Sequence, residues 1–154
     1  MQDLKKRYLA VKSAVADAAI AAGRRAEDVE LIAAVKYATA EEIEFLHREC
    51  GLCHVGENRV QQLLEHYEAL TCRDEMKIHF IGSLQKNKVK YIIDKVCLIH
   101  SLDSLSLAAE IEKQAAKRGI TMDVLVEINS GREEAKGGVL PEDAADFCLA
   151  LSSF

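Results

Sequence analysis

The chain has 154 residues, which is enough for one domain with a substantial core. Its formal net charge is −5, and this argues against a protein that coats nucleic acid or an anionic membrane. No apolar stretch approaches the length of a membrane span, and no apolar signal region follows the charged first residues. We therefore expect a cytosolic protein with no nucleic-acid or membrane partner.

Helix and strand patterns alternate along the chain. Apolar residues at three- and four-residue steps predict a first helix from about Leu4, and Gly23 ends it. Five strands are predicted at residues 30–36, 53–56, 77–82, 96–101 and 122–129. Helices are predicted between and after them at residues 41–50, 57–70, 84–93, 103–118 and 141–151.

This strict alternation predicts a parallel sheet with crossover helices, in a single domain over residues 1–154. The strands are rich in continuous apolar residues, as expected when helices cover a parallel sheet. A βα unit takes roughly 30 residues and an eight-fold barrel about 250. The chain therefore holds about five units, either as an open doubly wound sheet or as an incomplete barrel.

Lys36 is the first candidate functional residue. It closes the apolar run Leu31–Val35, and a polar helix start follows at residues 39–42. Ligands of α/β proteins bind at the carboxyl ends of the strands, where Lys36 is predicted to lie. Burial there disfavours the ammonium and favours a neutral, nucleophilic amine. The alternative is a lysine that extends from a strand end into solvent.

The other four predicted strands also end in glycines and hydrogen-bonding side chains. The segments are residues 56–58, 82–88, 101–103 and 129–131, and the glycine-rich loop 131–138 continues from the last one. Each has a simple structural explanation, such as a helix cap at Asn58, an eased turn at Gly82 or a turn residue at Ser101. Because parallel strands present their carboxyl ends on one side, we expect these residues to converge.

Five cysteines, an odd number, are expected to be reduced thiols in a cytosolic chain. Cys50 and Cys53 have the spacing of a zinc or redox pair, but no second pair completes a tetrahedral site. Gly51 between them is predicted to cap a helix. We therefore interpret the pair as structural and expect no metal site.

Several segments together resemble the pyridoxal phosphate homeostasis protein family. They occur in order along the chain, at Leu31–Lys36, His54–Gln61, His79–Lys90, Ile99–Ser104, Asn129–Gly131 and Lys136–Gly138. The second and third segments are long and specific. The resemblance implies a barrel like the N-terminal domain of alanine racemases, here with about five of its units.

The resemblance also implies a cofactor, pyridoxal phosphate, held as an internal aldimine by Lys36. Asn58 falls on the family's asparagine near the cofactor, and Ile81 and Ser101 fall on pocket positions. Lys136 falls on a loop lysine that accepts cofactor transiently. This sequence departs from the family at two positions: the family usually has serine at the position of Val35 and proline at the position of Thr39. It also has later strands with a serine-rich turn and an arginine-glycine-threonine segment that hold the cofactor phosphate, and neither is found here.

The leading hypothesis is a carrier or regulator of pyridoxal phosphate without catalytic residues, which serves pyridoxal phosphate-dependent apoenzymes. One alternative is a truncated paralogue that does not bind the cofactor. The other is an amino-acid racemase, which needs a second acid or base on the opposite face of the cofactor. An incomplete barrel also leaves two unpaired strand edges, which predicts self-association.

Overall fold

A computed structural model describes all 154 residues of the chain. Five parallel strands form one sheet, in which they lie side by side in the order in which they occur in the chain. The strands are β1 (Ala33–Ala34), β2 (His54–Glu57), β3 (Lys77–Phe80), β4 (Leu98–Leu102) and β5 (Asp123–Val126). The helices are α1 (Gln2–Ala21), α2 (Ala40–Cys50), α3 (Val60–Ala69), α4 (Val89–Ile92), α5 (Leu105–Arg118) and α6 (Ala144–Leu151).

The strand order decides between the two predicted architectures. A doubly wound sheet reverses its order at a switch point, whereas this sheet runs from β1 to β5 without reversal. Such consecutive order is that of a parallel β/α barrel. The prediction of five units of an incomplete barrel is therefore confirmed, and the doubly wound alternative is excluded.

The hydrophobic core lies between the sheet and its helices. Val55, Ile78, Phe80 and Ile99 are at most 4% exposed and belong to a cluster of 21 buried residues that includes side chains of α2 to α5. Side chains alternate along a strand, so the residues between these four face the opposite side of the sheet. That opposite side would be the inside of a complete barrel.

The residues at the helix ends explain the boundaries of α2 and α5. Gly51 and Gly119 follow these helices in the left-handed conformation, with φ of 66° and 65°. The side chain of Ser104 accepts a hydrogen bond from the backbone of Leu107 at the start of α5. The cap predicted at Gly51 is therefore confirmed, and α5 ends at Arg118, where the sequence predicts.

Several predicted boundaries were wrong, and three of them have a clear structural reason. β1 has two residues instead of seven, because it pairs with β2 alone and lies at the edge of the sheet. α3 begins at Val60 instead of residue 57, because Glu57 still pairs with Phe80 in the sheet. α4 begins at Val89, because the backbone at Gln85 is extended and a 3₁₀ turn at Lys86–Lys88 follows it.

No helix is both long enough and apolar enough to cross a bilayer.

Candidate functional site

The carboxyl ends of β1, β2 and β3 bring three of the predicted site residues together. The backbone N–H of Val35 donates to the carbonyl of Gly56 at 3.1 Å, so Lys36 follows the end of β1 next to the end of β2, which Asn58 follows. The N–H of Ile81 donates to the carbonyl of Glu57 at 2.8 Å. Lys36, Asn58 and Ile81 therefore lie on adjacent segments.

Ser101 belongs to the same edge of the sheet. Phe80 pairs with Ile99, and two residues further along each strand stand Gly82 and Ser101. A side chain at position 82 would meet the backbone of Asn58, because a Cβ built there lies 2.2 Å from the Asn58 carbonyl oxygen. The absence of a side chain on Gly82 thus lets the ends of β2 and β3 approach closely.

Lys36 is exposed, and the expectation that it is buried was wrong. Because β1 is the edge strand, no further strand lies beyond it to cover this residue. The Lys36 ammonium lies 5.0 Å from the centroid of the Tyr37 ring, itself 89% exposed, in a cation–π contact. The carbonyl of Lys36 accepts a hydrogen bond from Gln62.

Three side-chain oxygens at this edge are buried without a hydrogen-bond partner, namely Oε2 of Glu57, Oδ1 of Asn58 and Oγ of Ser101. An unpaired buried polar group costs about 1–3 kcal/mol, so such groups need an explanation. Asn58 and Ser101 are among the residues predicted to line the site. Their unused hydrogen-bonding capacity, on the same edge as the Lys36 amine, fits a polar ligand.

Lys136 lies in the loop that follows β5, at the far end of the sheet from β1. Its ammonium pairs with Glu133 at 2.8 Å. The side chain of Asn129 donates to the carbonyl of Glu133 and accepts from the N–H of Glu133, which organises the loop. Lys136 therefore stands apart from the group formed by Lys36, Asn58 and Ile81.

A row of three imidazoles crosses the inner side of the sheet, and sequence reasoning missed it. Nδ1 of His54 lies 3.0 Å from Nε2 of His79, and Nδ1 of His79 lies 3.0 Å from Nε2 of His100. Nε2 of His54 lies 3.3 Å from a carboxylate oxygen of Glu30. We call His54, His79 and His100 the histidine row.

Burial favours the neutral form of two members of the histidine row. Each nitrogen–nitrogen contact needs one N–H donor and one free acceptor. Burial, followed by the neighbouring His100 and His54, lowers the pKa of His79 to about 4. Burial also lowers the pKa of His100.

A second pair was also missed, between Glu57 at the end of β2 and His66 on α3. Nδ1 of His66 lies 2.5 Å from Oε1 of Glu57, whose side chain is 2% exposed. Burial raises the pKa of the Glu57 carboxyl, although the contact with His66 acts in the opposite direction. The spacing of residues along α3 could not predict this pair, because Glu57 lies on the preceding strand and not on the helix.

The fold and the site define a parallel β/α domain of the alanine racemase type. The chain matches the family model described as alanine racemase, N-terminal domain, over residues 13–153. Its structure superposes on PipY of Synechococcus elongatus, solved with pyridoxal phosphate bound, with a TM-score of 0.80 and 26% identity. That match covers 97% of this chain and 64% of PipY.

Comparison with individual relatives identifies the family within this broader class of domains. The pyridoxal phosphate homeostasis protein of Aquifex aeolicus is 51% identical over 126 residues, which cover 82% of this chain and 54% of the relative. That of Helicobacter pylori strain J99 is 37% identical over 99% of this chain and 68% of the relative. The chain belongs to the pyridoxal phosphate homeostasis protein family, and it spans about half to two thirds of the length of these relatives.

Proposed function

We propose that this chain binds pyridoxal phosphate through Lys36 and acts as a carrier or regulator of the cofactor. The observation that carries the proposal is the pair of unpartnered buried oxygens on Asn58 and Ser101, at the same edge as an accessible amine. The cofactor supplies an aldehyde, to which an amine attaches reversibly. A homologue of similar fold, PipY, was solved with this cofactor bound.

Each residue of the site has a distinct role in this proposal. Lys36 supplies the amine, Asn58 and Ser101 supply hydrogen-bonding groups, and Ile81, 37% exposed, supplies an apolar surface. Lys136 is a second, less selective amine outside this group. Transfer of the cofactor to pyridoxal phosphate-dependent apoenzymes and a cytosolic location complete the proposal. The five free thiols support that location.

Borohydride reduction in the presence of pyridoxal phosphate, followed by peptide mapping, tests the role of Lys36. Label should be found mainly on Lys36, because it lies on the same edge of the sheet as Asn58 and Ile81, whereas Lys136 is paired with Glu133. Lys36→Ala should abolish most of the label, and Lys136→Ala is the matched control that should retain it. Label mainly on Lys136 or other lysines would remove Lys36 from the central role.

We also propose that the chain does not racemise amino acids. Racemisation requires a second acid or base on the opposite face of the cofactor. The structural match to the alanine racemase of Clostridium difficile covers only 33% of that enzyme, and at 19% identity it reports on the fold alone. Sustained alanine turnover by the purified chain, abolished by Lys36→Ala, would overturn this part of the proposal.

The alternative of a scaffold that does not hold the cofactor is favoured by one observation, the exposure of Lys36. An absorbance titration with pyridoxal phosphate separates the two. An absorbance band at longer wavelength than that of the protein, which saturates as the cofactor is added and is lost in Lys36→Ala, supports binding. A spectrum that is the sum of protein and free cofactor supports the alternative.

A further inference from the structure

Two side chains of α3 hold the loop that carries Lys36. The Nε2 amide of Gln62 donates to the carbonyl of Lys36 at 2.8 Å. Nε2 of His66 lies 3.2 Å from the carbonyl of Ala38. Residues four apart on a helix share one face, so both contacts come from the face of α3 that looks toward this loop.

Glu57 fixes the orientation of the His66 ring. The carboxylate contacts Nδ1 of His66, and a backbone carbonyl can only accept, so Nε2 must carry the proton that is donated to Ala38. This orientation is the same whether the shared proton lies on Glu57 or on His66. Glu57 also pairs with Phe80 in the sheet, so the ring is tied to a part of the molecule that cannot easily move.

Little else positions Lys36. Its side chain is exposed, and its ammonium lies 5.0 Å from the centroid of the exposed Tyr37 ring. β1, which precedes it, is two residues long and lies at the edge of the sheet. The position of its amine therefore depends on the backbone from residue 35 to residue 38, in which the N–H of Ala38 donates to the carbonyl of Val35.

We propose that Gln62, His66 and Glu57 are positioning residues that brace the Lys36–Ala38 loop and hold the Lys36 amine toward Asn58. This inference rests on the proposed function of Lys36. It assigns to the Glu57 carboxylate and to the α3 face a role in ligand attachment beyond the packing of the helix. None of the three residues needs to touch the ligand.

The α3 helix itself offers a matched pair of variants. Gln62→Ala removes the amide that holds Lys36, whereas Gln61→Ala removes a neighbouring amide that bonds only to exposed Glu65. Gln62→Ala should slow the attachment of pyridoxal phosphate to Lys36, followed by absorbance and by borohydride labelling, by about 2- to 10-fold, the range of one neutral hydrogen bond. Gln61→Ala should leave the rate unchanged.

A second pair tests Glu57. Glu57→Gln keeps a group that can donate to Nδ1 of His66, whereas Glu57→Met has a similar volume and no hydrogen-bonding group. We expect near wild-type labelling in Glu57→Gln and slower labelling in Glu57→Met. Equal rates in the two variants at equal thermal unfolding midpoints would contradict the role of the carboxyl.

Amide hydrogen exchange at Ala38, whose N–H donates to the carbonyl of Val35, gives an independent readout when it is measured without cofactor. Exchange there should be faster in Gln62→Ala than in Gln61→Ala, because the loop opens more often. Faster exchange with unchanged labelling would show that the brace is structural only and would overturn the inference. If the wild-type chain attaches no cofactor, the proposed function fails, and exchange still shows whether the three side chains hold the loop.

Discussion

His79 occupies the middle of the histidine row, and its burial makes a prediction about pH. In the folded protein its pKa is about 4, compared with 6.5 for an ordinary histidine. Between these values the unfolded chain binds more protons than the folded one, so stability falls as the pH is lowered from about 6.5 toward 4. Glu30 and Lys77 also face His79 and act on its pKa in opposite directions.

Urea unfolding at pH 7 and pH 5 measures this dependence. Between pH 7 and pH 5, the decrease in the free energy of unfolding that is attributable to His79 should be on the order of 1–3 kcal/mol. His79→Gln should flatten the dependence, because glutamine does not titrate. His47→Gln, a change outside the histidine row, is the control and should keep it. An equally steep loss in His79→Gln would contradict the assignment.

Ser101 and Ser104 make a matched contrast between a hydroxyl suited to a ligand and one used by the fold. Oγ of Ser101 is buried without a partner, so Ser101→Ala should leave stability unchanged or raise it by up to about 1 kcal/mol while weakening pyridoxal phosphate binding. Oγ of Ser104 caps α5, so Ser104→Ala should cost about 1 kcal/mol and leave binding unchanged. Urea unfolding of both variants measures the changes in stability, and cofactor titration measures the changes in binding. Unchanged binding in Ser101→Ala would argue that its hydroxyl plays no part.

The sequence predicts residues at strand ends better than contacts between strands. Lys36, Asn58 and Ser101 were proposed as site residues because each follows an apolar run, whereas Ile81 was proposed only from the resemblance to the family. The histidine row was missed because its members are separated by 25 and 21 residues, and only the register of β2, β3 and β4 brings them together. The burial of Lys36 was predicted wrongly because an apolar run does not reveal whether its strand lies at an edge.

The close approach of the loops after β2 and β3 gives a prediction for these elements. A Cβ at position 82 would lie 2.2 Å from the carbonyl oxygen of Asn58, so backbone must move. Gly82→Ala should therefore destabilise the protein by about 1–3 kcal/mol, as overpacking does. Urea unfolding measures the change.

Gly131→Ala is the control for this substitution. Its nearest neighbour would be the flexible side chain of Glu133 at 3.3 Å, which can turn away. The control should change stability by less than about 0.5 kcal/mol. A Gly82→Ala variant as stable as Gly131→Ala would show that the loops after β2 and β3 separate without cost.

The number, type and order of the elements could be predicted, whereas their lengths could not. Apolar periodicity and the glycines that end α2 and α5 depend on neighbouring residues in the chain, so the sequence reports them directly. The length of β1 depends on which side of it is paired, and the end of β2 depends on where β3 begins. Both depend on the assembled sheet.

For the molecule as a whole, the outer strands β1 and β5 each pair with one neighbouring strand only. Leu125 in β5 and Ile128 beyond it are 48% and 39% exposed. Unpaired edges and exposed apolar side chains favour association between copies. We therefore predict that the isolated chain forms oligomers, and light scattering as a function of concentration measures their size.

A charge on the edge strand should weaken this association. Leu125→Lys places an ammonium where copies would meet, and we expect a shift toward monomer. Leu105→Lys is the control, since Leu105 is similarly exposed at 42% but lies at the start of α5, outside the sheet. A wild-type chain that stays monomeric at all concentrations would contradict the prediction.

The consecutive strand order also has a consequence for how the chain folds during its synthesis. Each strand from β2 onward pairs with the strand made immediately before it, so its partner has already left the ribosome when it emerges. The paired residues are 19 to 25 positions apart along the chain, so each pairing closes a shorter loop than a pairing between distant strands would. The sheet can therefore grow one unit at a time from the N-terminal end, with each new β/α unit adding to a surface that is already formed.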